Sequence, residues 1–490
     1  LNDLAYRFNN GVPNQLTMFA TPYTVKSEMR GDYGFYAQDK INLGRMTVQL
    51  AGRYDSFNTG FPAQVVEPAQ FTPNRNLSFP ESDSAAWRDL TYRTGMIYDL
   101  RGDGKTALKV SFNKYLLGQT LNGNTTAQNP LNTLVTSTTR SWADANRNFV
   151  ADCDLLNPAA NGECGAFSTA AFGTATPTAA FDPDLLTGWG HRPANWEFSA
   201  SVQHELMRGV GVDFGYFRRI WKNFAVTDNR ALSLSDFTQY SMVVPKDARL
   251  PGGGGNTLTG LYNVNPDKFS AVDNYNTLSD KYGKQIDHWN GFDLTVNARL
   301  QNGLLLNGGM SAGRQVTDNC EVVAKLPEMN FATAVVATGN LTPAEFCRSE
   351  TPFQPQFKGY GIYTVPKVLV QLSGTYRNVP GATQASNFTA TNAYLAANST
   401  LGRPLSGGAA NSVIQLVDTN ITFLDRRNEL DLRIGKVLRF GRARSQVSLD
   451  IFNALNSNAV LTASTAYATW LRPNSILNAR LMKVSVNLDF

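Results

Sequence analysis

Long apolar runs are missing from this 490-residue chain. No stretch of 18 apolar residues occurs anywhere in it, which excludes a membrane-spanning helix. Charge is sparse: 17% of residues are charged, and the net +5 comes from 44 basic and 39 acidic residues spread along the chain. With no basic block, nucleic acid is not an expected partner. Histidine is limited to His191, His204 and His288, which are scattered, and no Cys/His spacing suits zinc. Cysteine is limited to four residues in two local pairs, Cys153 with Cys164 and Cys320 with Cys347, each flanking polar sequence. An even count in loop-like sequence implies two disulfides and an oxidising compartment. No signal peptide is visible and residue 1 is Leu, so the chain is expected to be a mature protein or a fragment.

What is abundant is turn and strand formers: Gly 40, Phe 28 and Tyr 18. The pattern that organises them has a period of two. Met482, Val484, Val486, Leu488 and Phe490 alternate with Lys483, Ser485, Asn487 and Asp489. Trp196, Phe198, Ala200 and Val202 alternate with Glu197, Ser199, Ser201 and Gln203. The same code recurs from Met46, Leu108, Val210, Phe292, Leu430 and Val447. Each segment runs to about ten residues, the length that crosses a bilayer as a tilted strand. Without a spanning helix, only a closed barrel satisfies every backbone group in lipid.

The connections alternate as well. Short turns fall at 42–44, 101–104, 207–208, 301–303, 365–367 and 440–442. Long polar stretches lie near 56–88, 116–194, 221–287, 317–356, 378–427 and 456–477. A soluble sandwich has no reason to sort its loops by length; an outer-membrane barrel keeps short turns in the periplasm and long loops outside. The spacing predicts an all-β transmembrane antiparallel barrel, with fourteen strands by this rule. Phe237–Val244 and Ser412–Thr419 are candidates for further pairs, so the chain supplies about 14–18 strands. Tyr54, Phe57, Tyr115, Trp196, Tyr216 and Tyr376 sit near strand ends, where interface girdles belong.

Three features could carry chemistry. Gly309-Met-Ser-Ala-Gly313 has the G-x-S-x-G form of a hydrolase elbow, but it lies within the alternating segment Leu304 to Thr317, where no strand-to-helix turn follows. No enzyme is expected. Asp144, Asn146, Asn148, Asp152 and Asp154 place oxygen ligands at alternating loop positions, as Ca²⁺ requires, although Phe149 and Leu155 stand where an EF-hand has Gly and Glu. Ca²⁺ is the one ion the sequence has a place for, against a plain polar loop; no cofactor is required. Glu197, Arg53, Lys109, Asp213, Arg299 and Arg433 fall on the polar phase of their strands. They would line a path for polar solute or form an ordinary solvated interior, and no residue is assigned to substrate binding. Gly252 to Gly255 reads as a hairpin tip, since no strand–glycine–helix context surrounds it for phosphate.

The chain resembles the C-terminal barrel of TonB-dependent outer-membrane receptors, in particular the Oar-like branch. The stretches that carry the resemblance are Tyr33-Gly-Phe-Tyr-Ala-Gln-Asp39 with Arg53-Tyr-Asp55, Asp99-Leu-Arg-Gly-Asp-Gly-Lys-Thr-Ala107, Gly291-Phe-Asp-Leu-Thr-Val-Asn-Ala-Arg299, Asp450-Ile-Phe-Asn-Ala-Leu-Asn456 and Leu488-Asp-Phe490. They run from about residue 15 to 490. The resemblance implies a place in the Gram-negative outer membrane, in contact with its lipid. It implies membership of a 22-stranded barrel, insertion through the barrel-insertion machinery by way of Phe490, coupling to the TonB complex, and uptake of an unidentified extracellular ligand. Family members carry a regulatory-like domain and a plug ahead of the barrel. Residues 1–490 show neither, nor a TonB box, so the chain is expected to lack its N-terminal part. A passive porin-like channel, or a surface adhesion or assembly protein acting through its loops, are the alternatives.

Overall fold

In a computed structural model the chain is built around one large antiparallel sheet. The structure describes residues 3–121, 128–177, 179–300, 303–334, 337–440 and 443–489. Thirteen strands follow one another in the sheet in chain order: β1 (Glu28–Leu43), β2 (Met46–Phe61), β3 (Ser82–Asp99), β4 (Thr106–Leu116), β5 (Ala194–Met207), β6 (Val210–Lys222), β7 (Ile286–Arg299), β8 (Leu304–Asp318), β9 (Gln354–Val365), β10 (Val370–Val379), β11 (Arg427–Phe440), β12 (Ala443–Phe452) and β13 (Leu481–Asp489). Two short strands join from the loops: Thr187–Trp189 parallel to β3 and Arg348–Glu350 antiparallel to β8. Among the described residues, β1 and β13 each have one neighbour only. None of the helices among the described residues is long and apolar enough to cross a membrane.

The two-residue period sets the register. Val202, Phe214, Leu294, Met310 and Phe357 lie directly opposite one another across five strands. One position along, Gln203, Asp213, Thr295, Gly309 and Lys358 form the matching polar row. A slip of one residue in any strand would exchange the two faces. The apolar face is uncovered: Leu50, Phe214, Val296, Leu372, Ile434 and Val484 are between 37% and 71% exposed. An apolar surface spanning thirteen strands is far larger than a water-facing protein tolerates.

Connections at one end of the sheet hold six residues or fewer; at the other end they hold twenty or more. The short ones are closed by local chemistry. At the β3–β4 turn the Asp99 carboxylate accepts from the backbone N–H groups of Gly102 (2.9 Å) and Gly104 (2.8 Å), and both glycines take left-handed φ values that favour glycine. The 301–303 and 440–442 turns lie partly outside the described residues, as does Phe490.

The largest packed cluster sits in the long connections; the sheet itself holds a small one, Phe57, Ala85 and Trp87. Twenty buried residues, among them Met242, Leu258, Leu261, Leu341, Leu395, Ile414 and Trp470, form one cluster drawn from four of these connections. Phe237–Val243 pairs with Thr257–Val264, and Asn411–Gln415 lies in a four-stranded sheet with Phe331–Thr333, Thr338–Leu341 and Asn387–Thr391. The candidates at Phe237–Val244 and Ser412–Thr419 therefore contain strands, but in this loop layer and not in the large sheet. Gly252 to Gly255 connect the first of those hairpins. The 116–194 connection is held by Arg140, which is 2% exposed and donates to the carbonyls of Gly165, Asp154, Asn157 and Ala159. Loop carbonyls taken out of water need such a donor.

Candidate functional site

The polar face of the sheet carries a series of paired charges. All six residues singled out for this face lie on it. Glu197 pairs with Arg219 and Arg433 with Asp450; Arg53 meets Asp55 at 2.8 Å and Lys109 meets Asp213 at 3.9 Å. Arg299 shares the phase of Asp293 and Thr295 on β7. Most of these side chains keep contact with solvent, where a single pair contributes about 1 kcal/mol or less. They make a solvated, self-paired wall.

Towards the long-loop end, this wall becomes aromatic. Asn113, Glu197, Arg219 and Trp289 form a directly opposed row across β4 to β7. A cavity of about 630 Å³ opens above it, lined by Tyr115, Glu197, Phe217, Arg219, Trp221 and Trp289 among others. The Arg219 guanidinium lies 5.7 Å from the Trp221 ring centre, and Arg93 lies 5.0 Å from that of Tyr115. Trp289 is laid against the wall over Gly291 and Gly313; a Cβ at either glycine would overlap its indole. Such aromatic cover over strand glycines replaces the packing that glycine lacks. Rings held at a wall beside a charge pair suit a ligand with both a flat apolar surface and polar groups.

Sequence reasoning did not find Phe217, Arg219, Trp221 or Trp289 as site residues. The signal was present: in β6 the apolar phase runs through Val212, Phe214 and Tyr216, so Phe217 and Trp221 are aromatics on the wrong phase. Two of the proposed girdle aromatics are corrected in the same way. Tyr115 lies in the cavity, and Phe57 is 1% exposed on the polar face, stacked at 5.9 Å on Trp87. Trp196 packs with Tyr92 and Phe112 at 5.3 Å on the apolar face, where Tyr54, Tyr216 and Tyr376 also lie.

The remaining sequence candidates are dispersed. Four of the five proposed Ca²⁺ ligands surround one turn. The Asp144 carboxylate accepts from the backbone N–H groups of Asn148 (3.1 Å) and Phe149 (3.0 Å), and Asp152 accepts from the amides of Asn146 (2.6 Å) and Asn148 (3.0 Å). Asp154 belongs to a separate turn, where its N–H donates to Asn161 at 2.7 Å. Among the described residues no group of three or more His, Cys, Asp or Glu side chains is placed to hold a metal ion. Cys153 is bonded to Cys164, and Cys320 to Cys347. Gly309 to Gly313 lies in the middle of β8, with Ser311 between Asp293 and Gln356 of the neighbouring strands.

No family profile and no curated protein matches the chain. Among solved structures it is similar to the ferric-catecholate import receptor Fiu from K12 E. coli, with 10% identity and a TM-score of 0.43, over 98% of this chain and 46% of that one. It is similar to the FrpB iron transporter from Neisseria meningitidis, with 10% identity and a TM-score of 0.43, over 97% of this chain and 46% of that one. It is also similar to the ferripyoverdine receptor of the outer membrane of Pseudomonas aeruginosa, with 10% identity and a TM-score of 0.42, over 98% of this chain and 40% of that one. The chain spans less than half the length of these structures.

Proposed function

We propose that this chain forms barrel wall and external loops of a Gram-negative outer-membrane receptor-transporter of the TonB-dependent type, on the Oar-like branch. Its loop layer captures a ligand from outside, and its polar face lines the route inward. TonB drives the passage through a plug seated against that face. The observation that carries this reading is the sorting of surface: apolar side chains stand exposed on one face of thirteen consecutive strands, and every long connection leaves from one end. Lipid accepts such a face and water does not. The polar face, with its ion pairs and aromatic cavity, then encloses water rather than facing it in bulk. The paired charges and rings of the wall suit recognition of a solute.

The test is fractionation and refolding. The full chain is expected to sediment with outer membranes, to need detergent for solubility and to fold into lipid vesicles with a strand-rich circular dichroism spectrum. A chain that stays monodisperse in buffer without detergent would end this reading.

A further inference from the structure

Lys358 and Arg377 face each other directly across β9 and β10 on the polar face. Like charges in that relation destabilise a sheet, and the neighbouring carboxylates do not offset them. Arg377 lies 3.4 Å from Glu429, and Arg427 reaches the same carboxylate at 3.9 Å. Two guanidinium groups thus share one carboxylate. Lys358 has no acidic partner among the described residues.

The row through these residues reads Thr295, Gly309, Lys358, Arg377 and Glu429. Gly309 is the gap in it. A Cβ there would overlap the Leu294 carbonyl, so the strand interior stays without a side chain. A cavity of about 470 Å³ opens at that point, with Thr295, Ser311, Gln356 and Thr375 in its lining and Asp293 at the side away from the cations. Positive charge in excess, hydroxyl and amide donors beside it, and an empty volume form a receiving site for negative charge.

We propose that this cavity binds a small anion, the carboxylate or phosphate group of a solute on the polar face. The proposal rests on that face lining a water-filled route, as argued above. Lys358 supplies a compact point charge, Arg377 supplies directed N–H groups, and the Gly309 gap supplies the room. Asp293 sets the polarity of the site, so an anionic group orients towards β9 and β10.

The test uses the full chain purified in detergent, titrated with inorganic phosphate at constant ionic strength set by sodium chloride, and followed by calorimetry. Saturable binding is expected, weakened about tenfold by Lys358→Gln and by Arg377→Gln, the loss of one charge-assisted contact. Arg101→Gln, in a short turn, is expected to bind as the parent does. Without phosphate, Lys358→Gln is expected to melt no lower than the parent, because it relieves a like-charge contact. Equal binding by the parent and the double variant Lys358→Gln/Arg377→Gln overturns the proposal, as does a lowered melting point for Lys358→Gln. A chain that inserts into vesicles yet fails these tests removes this site alone. A chain soluble without detergent removes the reading beneath it.

Discussion

Glu328 accepts a hydrogen bond at 3.1 Å from the backbone N–H of Asn229, ninety-nine positions away, and so ties two long connections together in the loop layer. The carboxyl is 2% exposed, and burial pushes it up to about 7 from an ordinary 4.5. Between those values the folded state holds a proton that the unfolded state has lost. Stability therefore falls as pH rises from 4.5 to 7 and levels off above, by at most about 3 kcal/mol. Hydrogen exchange at the Asn229 amide is expected to be slower, after correction for intrinsic rate, at pH 5 than at pH 8. Glu328→Gln keeps the acceptor and should flatten that difference; an undiminished pH dependence in this variant would show that another group controls it.

The Cys320–Cys347 bond closes a 27-residue separation in the same layer, beside the buried cluster of Val226, Val322 and Leu326. Removing it frees chain entropy in the open state worth about 3–4 kcal/mol. Cys320→Ala with Cys347→Ala is expected to make the 319–353 connection the first segment cut by protease, while the sheet keeps its circular dichroism. The pair Cys153 and Cys164, with a separation of 11, should have a smaller effect in the 117–193 connection.

The sheet was legible because its rule is local. A period of two, repeated from Met46 to Asp489, places Val202 and Gln203 on opposite faces without knowledge of the rest of the chain. The loop layer was legible only in pieces: Phe237–Val244 and Ser412–Thr419 read as strands, but what they pack against is set non-locally. Leu258, Leu395, Ile414 and Trp470 come from three separate connections, and only their convergence makes them a core. The aromatic cavity falls between these cases. Phe217 and Trp221 announce themselves by phase, but Trp289 meets Arg219 only through the pairing of β6 with β7, which separates them by seventy positions in the chain.

Trp289 offers a direct probe of the cavity wall. Its indole occupies the space above Gly291 and Gly313, so a side chain at Gly313 must displace it. Gly313→Val is expected to cost about 1–3 kcal/mol through overpacking and to shift the Trp289 emission to longer wavelength as the ring moves into water. The shift is read as the difference between this variant and the same variant carrying Trp289→Phe. An unchanged difference spectrum would mean that the ring does not rest on those glycines.

The turn from Asp144 to Asp152 is held by hydrogen bonds whose removal has a simple readout. Arg147 and Phe149 take left-handed backbone angles there, with φ of 61° and 59°, which cost free energy for residues with a side chain. Asp144 offsets that cost by accepting from the N–H groups of Asn148 and Phe149. Asp144→Ala leaves both groups to water and should loosen the turn by about 1 kcal/mol. Trypsin cleavage after Arg147 is then expected to be roughly fivefold faster. The hydrogen bonds alone predict equal cleavage of the parent in Ca²⁺ and in EDTA, since they close the turn without an ion. Slower cleavage in Ca²⁺, lost in Asp144→Ala, would show instead that the oxygens of Asp144, Asn146, Asn148 and Asp152 close around a cation.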